Sequence, residues 1–170
     1  MTTPVFGVTG WKNSGKTTLL TRLVSEFSRR GWRVSTVKHA HHGFDIDKPD
    51  TDSFRHRESG AREVLIVSGR RWALMHELGD EEEPPLEVAL QHLSPADLIL
   101  VEGYKREGHP KIEARRRDGA RTDAVMPDDT AIVAVASDHE TDAQGKPVFD
   151  LDDVTGIADF IQSYVEGHHP

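Results

Sequence analysis

Residues 4–20 read Pro4-Val5-Phe6-Gly7-Val8-Thr9-Gly10-Trp11-Lys12-Asn13-Ser14-Gly15-Lys16-Thr17-Thr18-Leu19-Leu20, and the rest of the chain is organised around them. Gly10, Gly15, Lys16 and Thr17 have the spacing of a phosphate-binding P-loop, Gly-x-x-x-x-Gly-Lys-Thr. The flanks agree. Val5 to Val8 is a short, mostly apolar run that reads as a buried strand. From Thr18 to Phe27 the apolar residues Leu19, Leu20, Leu23, Val24 and Phe27 fall at helical spacing. Strand, glycine-bearing loop and helix together are the context the motif demands. In such a loop, backbone N–H groups and the free N–H groups of the first helical turn converge on one anion, and the helix dipole adds to them. The predicted cradle is Gly10, Asn13, Ser14, Gly15, Lys16, Thr17 and Thr18. Lys16 reaches the terminal phosphates and the Thr17 hydroxyl binds Mg²⁺. The bland reading is a turn that happens to end in Lys-Thr, and it leaves both flanks unexplained.

With 170 residues the chain is long enough for one domain, residues 1–170, with a real core. A net charge of −8 argues against a nucleic-acid partner held by bulk electrostatics. The chain has no cysteine, which excludes disulfides, thiolate metal sites and cysteine nucleophiles and is compatible with a cytoplasmic location. The first strand begins almost at once, leaving no room for a signal peptide, and no run approaches the apolar length of a membrane span.

Further along, Gly31 is placed to end the first helix. Arg33 to Lys38 alternates as a second strand. Asp52 to Gly60 reads as a short helix with Asp50, Thr51 or Asp52 as its cap. Glu63 to Val67 and Arg71 to Glu77 flank Ser68-Gly69-Arg70 as an antiparallel hairpin. Leu86 to Leu93 is a short helix, Asp97 to Glu102 and Thr130 to Ala136 are uniformly apolar strands, and Val154 to Val165 is a closing amphipathic helix. Strands alternating with helices point to an α/β fold with a mainly parallel sheet covered on both faces.

Leu98-Ile-Leu-Val-Glu-Gly ends an apolar strand in an acid. In P-loop proteins an acid at that place supports Mg²⁺ opposite the loop hydroxyl, which makes Glu102 a metal and catalytic candidate. An exposed acid that merely ends a strand is the plainer reading. Gly103 would let the backbone pass close to the phosphates. Tyr104, Lys105, Arg106 and Lys111 follow as a basic group, suited to an anionic ligand or to a solvated loop.

The segment Lys38-His-Ala-His-His-Gly-Phe-Asp-Ile-Asp, continuing to Ala61, crowds ionisable side chains into a short span. Lys38, His39, His42, Arg55 and Arg57 suit an anion. Asp47, with Asp50 and Asp52, suits Mg²⁺ or a positioned water. His39, His41 and His42 suit a transition metal by ligand type but not by spacing. The anion reading is preferred, because permanent cations at Lys38, Arg55 and Arg57 oppose a bound metal.

Taken together, Gly10-Trp-Lys-Asn-Ser-Gly-Lys-Thr-Thr-Leu, Val37-Lys-His-Ala-His-His-Gly-Phe-Asp-Ile-Asp, Asp52-Ser-Phe-Arg-His-Arg-Glu-Ser-Gly-Ala and Leu100-Val-Glu-Gly-Tyr-Lys resemble the molybdopterin-guanine dinucleotide biosynthesis protein B family. The resemblance covers the first two-thirds of the chain. It implies a P-loop NTPase three-layer sandwich, a homodimer, and slow hydrolysis of GTP with Mg²⁺. It also implies an accessory role beside the guanylyltransferase that attaches GMP to molybdopterin. Two departures stand out. Trp11 occupies the place where related dimeric ATPases carry a second lysine. There is also no Asn-Lys-x-Asp guanine reader, for which Asp138 in Ala136-Ser-Asp is the nearest substitute; the plainer reading is that Asp138 caps a turn. Two other classes use the same loop. One is a small-molecule kinase with Arg115, Arg116, Arg117 and Arg121 as a lid. The other is a metallochaperone GTPase using the histidines.

Overall fold

A computed structural model describes residues 3–40 and 43–168 of the chain. His41 and His42, assigned above to an anion or a metal, lie outside the described residues. The elements run β1 (Val5–Thr9), α1 (Lys16–Arg29), β2 (Val34–Lys38), α2 (Asp52–Glu58), β3 (Glu63–Val67), β4 (Trp72–His76), α3 (Leu86–Leu90), β5 (Leu98–Glu102), β6 (Lys111–Arg115), β7 (Ile132–Ser137), β8 (Val148–Asp150) and α4 (Val154–Gly167). Within the stretch expected to be a single domain, contacts group into two compact units, Met1–His39 with Ala89–Pro170, and Ala40–Val88.

The first unit is a parallel sheet in the order β2-β5-β1-β6-β7-β8. Strand β1 sits between β5 and β6, with Val8 opposite both Glu102 and Ile112. Side chains alternate across a strand. One face of the sheet therefore presents Phe6, Val8, Leu98, Leu100 and Ile112 to α1 and α4, where Leu19, Leu23, Phe27, Ile157 and Ile161 complete the core. The opposite face carries Ile99, Val101 and Val135, and it is buried as well. Burial on both faces is what a parallel sheet requires, and it explains the uniformly apolar runs read as β5 and β7. The two 14-residue helices lie side by side on one face.

Helix α1 stops as Gly31 predicts. The Gly31 N–H donates to the Ser28 carbonyl and the Trp32 N–H to the Phe27 carbonyl, both at 3.0 Å. The Trp32 ring then packs on Phe27 at 5.1 Å, which completes a Schellman stop with its hydrophobic contact. Near this end Glu26 accepts from Arg29 at 2.7 Å and from Arg30 at 2.8 Å. These hydrogen bonds pull the Glu26 carboxyl down to about 2 from its ordinary 4.5. A depressed carboxyl contributes stability above its unfolded pKa and loses it as pH falls through the folded value. The stability difference between the wild type and Glu26→Gln is therefore largest above pH about 4.5 and closes as the pH approaches about 2. Thermal melts of both proteins across that range measure it.

Two strands escaped the sequence reading. Lys111, placed in an accessible basic group, lies in β6 fully buried. Its Nζ donates to the Lys105 carbonyl at 3.1 Å and to the Glu107 carbonyl, with Asp129 at 3.6 Å. Arg115, assigned to a kinase lid, is the last residue of the same strand and only 5% exposed. Both readings are corrected: these cations hold the fold together rather than face a ligand. The three-residue β8 is too short to show a period.

The second unit contains the predicted hairpin as a separate two-stranded antiparallel sheet, β3-β4. Val64 and Met75 are paired and buried, whereas Leu65 with Leu74 and Val67 with Trp72 form cross-strand pairs on an exposed face. Thr51 caps α2 by accepting the Phe54 N–H, so of the three candidate caps it is the one used. Arg57 binds Asp47 at 2.7 Å, Glu77 at 2.9 Å and Asp45 at 3.3 Å. No helix among the described residues is long and apolar enough to cross a membrane.

Candidate functional site

The C-terminal ends of β1 and β5 bring the predicted phosphate residues together. Asn13, Ser14, Gly15, Lys16, Thr17, Thr18, Glu102 and Arg116 line one cavity of ≈ 380 Å³. The loop between β1 and α1 reaches this shape through left-handed backbone at Asn13 (φ 63°) and Gly15 (φ 89°). Gly10 is required for a different reason. At φ 151° a Cβ there would stand 2.3 Å from Ser14 Oγ and 2.5 Å from the Ala114 carbonyl, so the P-loop can rest against β6 only without a side chain at this position. Ser14 Oγ is buried against this turn. Gly15 precedes α1 and has no side chain, so the cap position itself supplies no acceptor to the first turn of that helix.

Lys16 Nζ donates to the Trp11 carbonyl at 2.5 Å and so bends back over its own loop. Burial holds the Lys16 ammonium below its ordinary pKa, Lys105 and Lys38 add to that, and Glu102 opposes it. An incoming anion would relieve this crowding of cations. Thr17 Oγ1 donates to Glu102 Oε1 at 2.8 Å, and Lys38 Nζ lies 3.9 Å from the same oxygen. A hydroxyl from the P-loop and a carboxylate from the adjacent strand thus meet at one point. Oxygen donors of this kind suit Mg²⁺.

Gly103 is left-handed at φ 92°, and the crowded neighbour is His39, whose Cβ lies 3.0 Å from where a side chain would begin. The His39 ring stacks on Tyr104 with centroids 4.5 Å apart. Gly103 thus makes room for His39 at the edge of the sheet. Asp47, expected beside the metal, directs both carboxylate oxygens at Arg57 within the second unit, at 2.7 and 3.3 Å. That contact keeps its carboxyl below the ordinary range. Arg57, expected to bind an anion, is matched by three acids of its own unit. No group of three or more His, Asp or Glu side chains among the described residues is arranged to hold a metal.

Asp138 follows β7. Its Oδ1 accepts the Arg117 backbone N–H at 2.7 Å and meets His139 Nδ1 at 2.9 Å, contacts that lower its pKa, while Oδ2 lies 3.8 Å from Arg116 Nε. The carboxylate anchors the turn after β6. That turn lies along the P-loop: the Ala120 N–H donates to the Lys12 carbonyl at 3.1 Å, and Trp11 Nε1–H donates to the Asp123 carbonyl at 2.9 Å. Lys105 at 4.9 Å and Arg121 at 4.5 Å from the ring centre make cation–π contacts with Trp11. Trp11, which stands where a second lysine is found in related ATPases, joins two basic loops to the P-loop instead. Arg116, which the sequence offered only as part of a kinase lid, lines this cavity. Only the parallel pairing of β6 with β1 puts it beside Lys16.

The family described as MobB, Molybdopterin guanine dinucleotide synthesis protein B, matches residues 5–138. The molybdopterin-guanine dinucleotide biosynthesis adapter protein of Escherichia coli (strain K12) is 38% identical over 165 residues, spanning 96% of this chain and 94% of that protein. Its counterpart in Haemophilus influenzae is 36% identical over 172 residues, 98% of this chain and 92% of the other. Among solved structures, the crystal structure of molybdopterin-guanine biosynthesis protein B superposes with a TM-score of 0.70 at 30% identity, covering 94% of this chain and 99% of that one. A MobB homologue from Bacillus stearothermophilus gives 0.69 at 28% identity, covering 96% and 99%.

Proposed function

Because the chain belongs to the molybdopterin guanine dinucleotide synthesis protein B family, we propose that it is a GTP-binding adapter in molybdenum cofactor biosynthesis. In this reading it binds GTP with Mg²⁺, hydrolyses it slowly, and assists the guanylyltransferase that converts molybdopterin to its guanine dinucleotide form. The observation that carries the reading is the convergence of Lys16, Thr17 and Glu102 on one cavity at the uncapped start of α1. Backbone N–H groups there cradle the phosphates, and Lys16 turns from the Trp11 carbonyl to the β- and γ-oxygens. Thr17 and Glu102 would hold Mg²⁺, which when bound neutralises charge on the β- and γ-phosphates. In hydrolysis Lys16 faces the charge that develops on the transferred group as water attacks in line.

Homodimerisation belongs to the same proposal. The exposed pairs Leu65 with Leu74 and Val67 with Trp72 support it, since a small two-stranded sheet gains stability by covering such a face. A cytoplasmic setting follows from the proposed substrate and partner.

The test is direct. The purified chain is titrated with GTP and ATP in Mg²⁺, then added to a guanylyltransferase supplied with molybdopterin and GTP. Tighter binding of GTP and faster or more complete guanylylation are the expected results. A chain that binds neither nucleotide, or leaves guanylylation unchanged, defeats the proposal. Glu102→Gln keeps the size of the side chain but removes its charge. It lowers Mg²⁺-dependent hydrolysis by about tenfold or more while nucleotide affinity changes less. Single-turnover rates across a Mg²⁺ titration check this.

A further inference from the structure

We propose that Arg116 is a cation of the phosphate site, supplied from the turn after β6 to the terminal phosphate of the nucleotide, with Asp138 as the weak resting partner that gives it up. The inference rests on the phosphate-site reading above and goes beyond it by assigning a contact that the P-loop motif does not contain. Three observations carry it.

First, Arg116 shares the cavity wall with Lys16, Thr17 and Glu102. In a chain of net charge −8, that wall has two cations to one acid, and Lys105 and Lys38 act on Lys16 from close by. Such a local excess of positive charge favours a multivalent anion.

Second, the main chain at Arg116 is fixed from beneath. The preceding residue, Arg115, is buried and donates to Glu113 Oε2 at 3.0 Å, to Thr141 Oγ1 at 2.7 Å and to the Asp142 carbonyl at 2.6 Å. The following residue, Arg117, gives its N–H to Asp138. A residue pinned on both sides presents its side chain in a restricted direction.

Third, the link between Arg116 and Asp138 is loose. The Arg116 side chain is 52% exposed, and its Nε stands 3.8 Å from Asp138 Oδ2, beyond hydrogen-bond range. An ion pair of that kind is weak, whereas a guanidinium makes short, paired, charge-assisted bonds to phosphate. Phosphate oxygens therefore win Arg116 from Asp138, which keeps its bond to the Arg117 backbone and holds the turn in place.

Calorimetric titration of wild type, Arg116→Ala, Arg116→Lys, Asp138→Asn and Lys16→Ala with GTP, GMP and tripolyphosphate, each in Mg²⁺, tests the assignment. Arg116→Ala is expected to weaken GTP and tripolyphosphate alike, by about ten- to a hundredfold, and to leave GMP within about twofold. Arg116→Lys should recover part of the loss. Asp138→Asn retains an acceptor for the Arg117 N–H while freeing Arg116, and it should bind tripolyphosphate at least as tightly as wild type. If Arg116→Ala binds GTP within about twofold of wild type while Lys16→Ala does not bind, the Arg116 assignment is overturned and the phosphate site stands. An equal loss for GMP and GTP also overturns it. If wild type binds neither GTP nor tripolyphosphate, the phosphate-site reading and this inference both fail.

Discussion

Lys16→Ala lowers GTP affinity by about a hundredfold or more and leaves the unfolding midpoint near that of wild type. The size follows from the position of the ammonium. It is partly buried, crowded by Lys105 and Lys38, and tied to the carbonyl of Trp11 in its own loop. No core packing is lost with it, so stability changes little. On the proposed function, a triphosphate in the cavity would set Lys16 against two phosphates in a setting less screened than bulk water, where each charge-assisted bond is strong. Equilibrium titration with GTP, beside circular-dichroism melts of both proteins, measures the two quantities separately. Unchanged affinity and turnover would remove the P-loop assignment.

Glu113→Ala has the largest expected effect on stability, a loss of about 3–5 kcal/mol. Glu113 is 1% exposed in β6, where one oxygen accepts from Arg115 and the other accepts the Val125 N–H at 2.7 Å. Truncation leaves a buried guanidinium short of its carboxylate and a backbone donor without its acceptor. For a chain of this size the loss corresponds to a fall of roughly 6–20 °C in the unfolding midpoint. Glu113→Gln keeps an acceptor and should lose less. Because Val125 closes the turn that carries Arg116, Glu113→Gln should also bind GTP more weakly than wild type at temperatures where both are folded. Urea titrations and nucleotide titrations of the two variants check both statements.

The contrast between Lys16 and Glu113 explains how far the sequence could be read. The P-loop is a local device: every residue from Gly10 to Thr18 lies within nine positions, and the strand before it and the helix after it announce themselves by their own periods. Strand β5 was legible because Leu98 to Val101 is buried on both faces and therefore apolar throughout. Strand β6 failed the same test. Lys111-Ile-Glu-Ala-Arg looks like a solvated basic segment, yet all five residues are buried. Its charges are answered in part nearby, Arg115 by Glu113 and Lys111 by the Lys105 and Glu107 carbonyls, and in part from afar by Asp129, the Val125 N–H, Thr141 and the Asp142 carbonyl. A composition-based reading cannot distinguish a charge bound for water from one whose partner lies a dozen or more residues away. Arg115 and Arg116 were assigned to the same lid, yet Arg115 is buried in β6 while Arg116 lines the cavity beside Lys16. In the segment from Lys38 to Arg57, part of the charge is answered within its own unit. Its density of ionisable groups suggested a ligand, whereas Arg57 and Asp47 largely satisfy each other.

The order β2-β5-β1-β6 has a consequence for how the protein is born. Strand β1 leaves the ribosome well before its partners, for it pairs Val5 with Ile99 on one side and Gly7 with Lys111 on the other. At a synthesis rate of about 5–20 residues per second, the nascent β1 waits on the order of ten seconds before either neighbour exists. Helix α1 waits longer still for α4, which follows β8 in the chain. During that interval Phe6, Val8, Leu19 and Leu23, all destined for the core, have no sheet to join. The hairpin β3-β4, whose strands are joined by a short turn, can close while the chain is still growing. The proposed nucleotide site, although its loop precedes β5 and β6 in the chain, is thus assembled late in the life of the nascent chain, and β1 and α1 are the elements most in need of chaperone cover.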